Sequence, residues 1–140
     1  ERLPSPALQA LLVRVKWSCK QRAGKTKVQL ATKRADLPCP LLENGRCLAY
    51  EARPLMCRAM HSLDVESCRR ELADPKLSLV KFYLHRHIIH VSISQGLTDA
   101  CRAQGYQAGP VELAGAVRHY FAQADLVSRW LAGEAVFRTV

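Results

Sequence analysis

The segment 37–62, called here the cysteine segment, constrains the fold most, because turn-forming residues and closely set cysteines replace the long apolar periods found elsewhere. Its cysteines are Cys39, Cys47 and Cys57. Prolines and an Asn-Gly pair between them turn the chain back on itself, so separated positions can be brought together. The spacing is wider than the C-x2-C of a zinc finger and by itself gives a moderate metal signal. Three reduced thiols in an irregular core are the alternative.

The pair Asn44-Gly45, flanked by apolar residues, predicts a hairpin whose loop length decides which cysteines share a face. In a strict two-residue turn Leu42 faces Cys47, and alternation along the strand places Cys39 on the opposite face. In a three-residue loop with a left-handed glycine as a bulge, Leu41 faces Cys47 and Cys39 lies on the same side. We predict this second register, because only it lets both sulfurs converge.

Cys57 follows Pro54, which is suited to begin a short helix. Free amide groups and the positive end of the helix dipole favour a thiolate there. The neighbouring cations Arg46, Arg53 and Arg58 are expected to lower thiol pKa values and to offset the charge that several thiolates bring to one ion. Soft thiolate donors suit zinc and iron–sulfur centres better than magnesium or calcium.

Two weaker ligand candidates follow. His61 would complete a Cys3His site or hydrogen-bond to a ligand from outside the set, and Cys68 lies on the next predicted helix. The other candidates are interpreted as structural: Cys19, Cys101, His87 and His90.

Helical periodicity outside the cysteine segment predicts a mainly α, bundle-like single domain over residues 1–140, with an irregular cysteine-bearing loop or short hairpin as an insertion. Residues 23–36 are polar and basic and predict a mobile loop. The helical C-terminal part is expected to cover 64–137.

The predicted helices are 6–22, a short one after Pro54, 65–73, 75 to about 104 with a break near Gly96, one from Pro110, and one around Leu126 and Trp130 that stops at Gly133. Inward-facing residues are expected to be Leu8, Leu11, Leu12, Val15 and Cys19 on the first helix, Leu77, Val80, Leu84, Ile88 and Val91 on the long one, and Leu113, Val117, Tyr120 and Phe121 on the one after it.

Composition narrows the class of protein. With 140 residues, 49% of them hydrophobic, the chain is long enough for a real core. It has no apolar run of the roughly eighteen residues that a membrane span needs, and no secretory signal pattern, so we expect a soluble, cytoplasmic protein without a membrane partner. Six cysteines are too few for a disulfide scaffold at this length, which favours thiols or metal ligands.

The net charge of +9 is concentrated near the N-terminus, where the first 38 residues hold nine Lys/Arg against two acids. Basic segments can follow a phosphate backbone, so nucleic acid is a candidate partner. No aromatic residues interleave with Lys25, Lys27, Lys33 and Arg34 as a stacking platform would need. A solvated basic loop is therefore the favoured interpretation, and the sequence does not predict an oligomeric state.

Four short runs of the cysteine segment resemble the second half of the YkgJ-like cysteine-cluster family, a zinc- or iron-chelating domain with a CxxCxxCC signature. The runs are Cys39-Pro40-Leu41-Leu42, Gly45-Arg46-Cys47, Tyr50-Glu51-Ala52-Arg53-Pro54 and Cys57-Arg58. Residues 61–68 and 129–137 also resemble members with a helical C-terminal extension.

The resemblance implies a metal site that joins Cys39, Cys47 and Cys57 to an upstream cluster ending in a Cys-Cys pair, which this chain lacks. Because the chain begins with Glu1 and not with Met, we expect that cluster to precede it. A related cluster occurs in a flagellin lysine methylase. The leading interpretation is a zinc- or iron–sulfur-binding module, in which Arg53 and Arg58 orient the loop or compensate charge.

No motif fixes a reaction, since the sequence lacks a Gly-rich phosphate loop, a nucleophile elbow and an evident carboxylate pair. A nucleophilic pair of Cys57 and His61 has no evident third group to orient it. Whether the chain is an enzyme therefore stays open. The alternatives to a binding module are an iron–sulfur redox or methylase-type enzyme and a basic nucleic-acid or protein adaptor.

Overall fold

The computed structural model describes residues 5–77 and 81–137, and these are mainly α-helical, as predicted. The helices are α1 (Ser5–Arg22), α2 (Lys27–Thr32), α3 (Leu55–Ala59), α4 (Val65–Ala73), α5 (Leu84–Ala103), α6 (Leu113–Ala122) and α7 (Leu126–Leu131). A two-stranded antiparallel sheet pairs β1 (Leu42–Glu43) with β2 (Arg46–Cys47). No helix within the described ranges is long and apolar enough to cross a membrane.

The described residues form two compact units. The first unit contains the residues up to Ala23 and those from Gly96 onward, and so holds α1, α6 and α7. The second unit is Gly24–Gln95, which includes the whole cysteine segment.

The core of the first unit lies where α1 packs against α6. Leu11 and Val15 of α1 are buried, as their helical spacing predicts, and Ala114 of α6 is fully buried. Leu126 of α7 is 2% exposed, so this short helix is also anchored in the core. The predicted ends of α1 and α7 are confirmed, because glycines with positive φ follow both helices: Gly24 at 70° and Gly133 at 88°.

Two predictions about α6 are wrong: the residue at which the helix begins, and the burial of Tyr120 and Phe121. The helix begins at Leu113, where the side chain of Glu112 caps it, and not at Pro110. Tyr120 and Phe121 are exposed, because the small residue Ala114 occupies the contact with α1 and the two large rings fall outside it.

The predicted loop over 23–36 is a second error, since this stretch contains α2 and a short 3₁₀ turn, Arg34–Asp36. The Thr26 hydroxyl accepts from the amide of Gln29, and the Gln29 side chain accepts from the Thr26 amide, which makes a reciprocal capping box. That Thr-x-x-Gln signal was present in the sequence and was missed among the lysines.

Helix α4 begins at the Asp64 cap as predicted, whereas α5 begins nine residues after the predicted start at residue 75. A backbone bridge pairs Ser62 with Phe82 just before α5, and the amide of Leu63 donates to the carbonyl of Lys81 at 2.9 Å. Helix α5 then runs through Gly96 without a break.

The predicted inner stripe of α5 is not buried. Leu77, Leu84, Ile88 and Val91 are exposed, while Val80 lies outside the described residues. Within the described part of α5 the buried residue is His90. The apolar periodicity therefore predicted correctly that α5 is a helix, but it did not predict which of its residues are buried.

Candidate metal centre

The hairpin has the two-residue turn, so the predicted three-residue register is wrong. Leu42 pairs with Cys47 and Glu43 with Arg46. Asn44 and Gly45 have φ values of 50° and 74°, the left-handed pair that a type I′ turn requires. Asn-Gly is the pair best suited to that turn, and its local preference decides the register.

The expected consequence for Cys39 does not follow, because β1 is too short for strand alternation to reach it. The amide of Leu42 donates to the carbonyl of Cys39 at 3.0 Å, which makes residues 39–42 a turn. The amide of Leu48 donates to Leu41 at 2.8 Å and extends the pairing by one residue. Cys39 thus lies in the turn that enters the hairpin, and its direction is set by that turn.

Two arginines fix the chain between the hairpin and α3. Arg53 donates through Nε to the carbonyl of Tyr50 at 3.0 Å, and its guanidinium lies 3.8 Å from the centre of the Tyr50 ring. Arg58 donates through Nε to the carbonyl of Arg53 at 3.0 Å and through Nη2 to that of Glu51. Charged donors therefore satisfy backbone carbonyls around the turn that leads into α3.

Cys57 is the third residue of α3, which follows Pro54 as the sequence predicts. Partial burial raises the pKa of its thiol above the ordinary value, and the thiols of Cys39 and Cys47 raise it further, while Arg53 lowers it. The sequence suggested a lowered pKa, which is wrong in direction, because burial and two like charges outweigh the half-buried Arg53. The same finding places Cys39 and Cys47 close enough to oppose the ionisation of Cys57.

The thiols do not form a coordination sphere as they lie. Over 5–77 and 81–137, no group of three or more His, Cys, Asp or Glu side chains could hold a metal ion. All six cysteines are free thiols, and Cys39 and Cys57 are exposed whereas Cys47 is half-buried. The donor chemistry of the cysteine segment suits zinc or iron, but coordination needs the sulfurs to move closer.

The weaker candidates His61 and Cys68 lie together in a different place. Both line a cavity of about 280 Å³ beside Arg34 and Glu71, and none of the three segment cysteines lines it. Arg86 Nη1 lies 3.0 Å from His61 Nδ1. An arginine only donates, so Nδ1 accepts and a neutral ring carries its proton on Nε2. Neither nitrogen then offers a lone pair to a metal in this arrangement.

The residues interpreted as structural are dispersed. Cys19 and Cys101 are half-buried, and the rings of His87 and His90 are 6.4 Å apart. His90 is buried, and its Nδ1 lies 3.3 Å from Ser94 Oγ.

Sequence reasoning missed two partners that shape this unit. Arg86 was not considered, because its link to His61 spans 25 positions and depends on the bridge at Ser62. Arg34, counted in the basic segment, donates to the carbonyl and carboxylate of Glu71 at 2.6 and 2.9 Å, so it helps to hold α4. The basic surface available to a nucleic acid is correspondingly smaller.

Comparison of the chain with protein-family models, with curated proteins and with solved structures gives no match. The resemblance to the YkgJ-like family is therefore still a hypothesis, and the roles of the cysteines rest on their chemistry and local geometry.

Proposed function

We propose that this chain is a metal-binding module in which Cys39, Cys47 and Cys57 are thiolate ligands of a zinc ion or of an iron–sulfur centre. The observation that carries the proposal is the proximity of Cys39 and Cys47 to Cys57, whose pKa is raised first by burial and then by these two thiols. Thiols that resist ionising together are those whose joint ionisation a shared cation favours, since a metal replaces their protons and cancels their repulsion.

The chain contributes three soft donors, whereas a structural zinc ion, or a whole iron–sulfur cluster, takes four protein ligands. The fourth position is then filled by a group outside this trio. His61 is a poor choice, because its Nδ1 is engaged by Arg86. The family resemblance implies upstream cysteines for this role.

Arg53 and Arg58 are proposed to support the site without binding the metal. Their bonds to the carbonyls of Tyr50, Glu51 and Arg53 hold the turn between Cys47 and α3. Arg53 also favours the thiolate of Cys57 electrostatically. A preorganised loop loses less conformational entropy when it closes on a metal, which strengthens binding.

Metal binding is proposed to close the cysteine segment. The segment contains short turns, and two of its three cysteines are exposed, so small rotations of the turns can change the distances between the thiol sulfurs. Binding would release protons, because each thiol must ionise, and the affinity would rise with pH.

The test is the metal content of the protein purified without oxygen, together with its absorbance spectrum. Stoichiometric zinc with no visible absorption indicates a zinc site, and visible charge-transfer bands indicate iron–sulfur. Cys39→Ser and Cys57→Ser should each lose the metal, while Cys101→Ser is the matched control in the first unit. Protein without metal, or equal loss in all three variants, would contradict the proposal. Salt-dependent nucleic-acid binding that survives the substitutions would favour the adaptor instead.

A further inference from the structure

A second site of a different kind lies in the first unit, where a cavity of about 590 Å³ opens between the C-terminal end of α1 and α6. Cavities that hold small organic molecules usually measure about 300–1,000 Å³. Its charged or titratable lining consists of Arg22, Glu112, Arg118, His119 and Cys19. The apolar lining includes Val111, Ala116, Ala122 and Phe137.

The one carboxylate in the lining is already engaged. Glu112 Oε2 accepts from the amide of Gly115 at 2.6 Å, where it caps α6. Its Oε1 lies 3.7 Å from Nε of Arg22, and that Nε donates to Ser18 Oγ at 2.9 Å. Glu112 and Arg22 therefore compensate each other and hold the rim between α1 and α6.

Arg118 remains as an uncompensated cation of the wall, since it has no ion-pair partner in the part of the chain that the structure describes. His119, the next residue of α6, adds ring nitrogens that can donate. The cavity lining thus combines a cation and imidazole donors with apolar carbon.

We propose that this cavity binds a small organic anion with an apolar body. Arg118 and His119 contact the anionic group, because a guanidinium offers paired donors to a carboxylate or phosphate. Phe137, Val111 and Ala116 cover the apolar part. Nothing in this site depends on the cysteine segment, so it stands or falls separately from the metal proposal.

Amide NMR titration of the full chain with benzoate and phenyl phosphate tests the site, with benzylamine as a probe of opposite charge and inorganic phosphate as an anion without an apolar body. The expected result is saturable shifts of the Ala23, Gly115, Ala116 and Gln123 amides with one or both organic anions, much smaller shifts with inorganic phosphate, and none with benzylamine. Equal shifts with benzylamine, or shifts that spread evenly over the chain, would overturn the proposal.

Two variants assign the binding to this cavity. Arg118→Gln should weaken the aromatic anion about tenfold, the scale of one lost charge-assisted hydrogen bond, whereas the exposed Arg69→Gln on α4 should leave it unchanged. Ala122→Phe places a ring at the exposed edge of the cavity and should block binding with the amide spectrum otherwise retained. Unchanged affinity in both Arg118→Gln and Ala122→Phe would show that the anion binds elsewhere.

Discussion

Replacing Gly45 by alanine tests whether the hairpin positions Cys47. Gly45 has a φ of 74°, and a Cβ built on it meets nothing within 4 Å. The cost is therefore purely conformational, about 1–2 kcal/mol for a left-handed residue other than glycine. Since β1 and β2 pair over only two residues each, this cost is enough to open the hairpin in a large share of molecules.

Gly96→Ala is the matched control, because the same methyl group enters an open position in the middle of α5 where φ is not in the left-handed region. There alanine should stabilise the protein by about 0.5–1 kcal/mol. The two substitutions thus add identical atoms and are expected to change stability in opposite directions.

Urea unfolding measures both effects, and a zinc titration of Gly45→Ala should show affinity reduced about tenfold, since 1.4 kcal/mol of lost preorganisation corresponds to that factor. Equal stability of Gly45→Ala and the parent chain, or destabilisation by Gly96→Ala, would refute the assigned backbone geometry. Lower stability of Gly45→Ala with unchanged zinc affinity would instead show that the hairpin does not position Cys47 for metal binding.

Three other predictions concern the core, the thiol and a helix cap. Leu126→Ala should lower the free energy of unfolding by about 2–5 kcal/mol, whereas Leu131→Ala on the same helix should cost less than about 1 kcal/mol, because Leu126 is 2% and Leu131 54% exposed; equal losses in urea unfolding would contradict the packing of α7. Cys39→Ser should lower the pKa of Cys57 and speed its alkylation in mildly alkaline buffer, because a like charge is removed; an unchanged alkylation rate would argue against the proximity of the two thiols. In the parent chain the folded state holds the Cys57 proton more tightly than the unfolded state, so the stabilisation that is present below the ordinary thiol pKa should be lost as pH rises through the raised pKa. Asp64→Ala should destabilise α4 by about 1 kcal/mol, because the Asp64 side chain accepts from the amide of Glu66 at 2.9 Å. An unchanged melting temperature by circular dichroism would contradict this role of the cap.

The sequence predicted those parts of the fold whose signals are local. Caps and left-handed glycines bound α1, α4 and α7, and each of these signals involves residues only a few positions apart. The start of α5 was missed because the backbone bridge between Ser62 and Phe82, twenty residues apart, overrides the helical period before Leu84.

In the candidate site, too, local signals were predicted from the sequence and long-range contacts were not. Turn chemistry predicted that Cys39, Cys47 and Cys57 converge, but through a hairpin register that is wrong. Cys39 and Cys47 lie near enough to raise the pKa of Cys57, whereas no group of three such side chains in the described ranges could hold a metal ion. The pKa direction at Cys57 depends on burial and on two sulfurs brought close in space, neither of which spacing alone reveals. The engagement of His61 by Arg86 is likewise a long-range contact.

The central claim is that three thiols of the cysteine segment bind one soft metal ion, and a cobalt(II) titration tests it most directly. Thiolate-to-cobalt charge-transfer absorption should appear and saturate at one equivalent, and each of Cys39→Ser, Cys47→Ser and Cys57→Ser should reduce it. Zinc should displace the cobalt, and Cys101→Ser should leave the spectrum intact. An absorption that is absent, or that falls as much in Cys101→Ser as in the other three variants, would contradict the account.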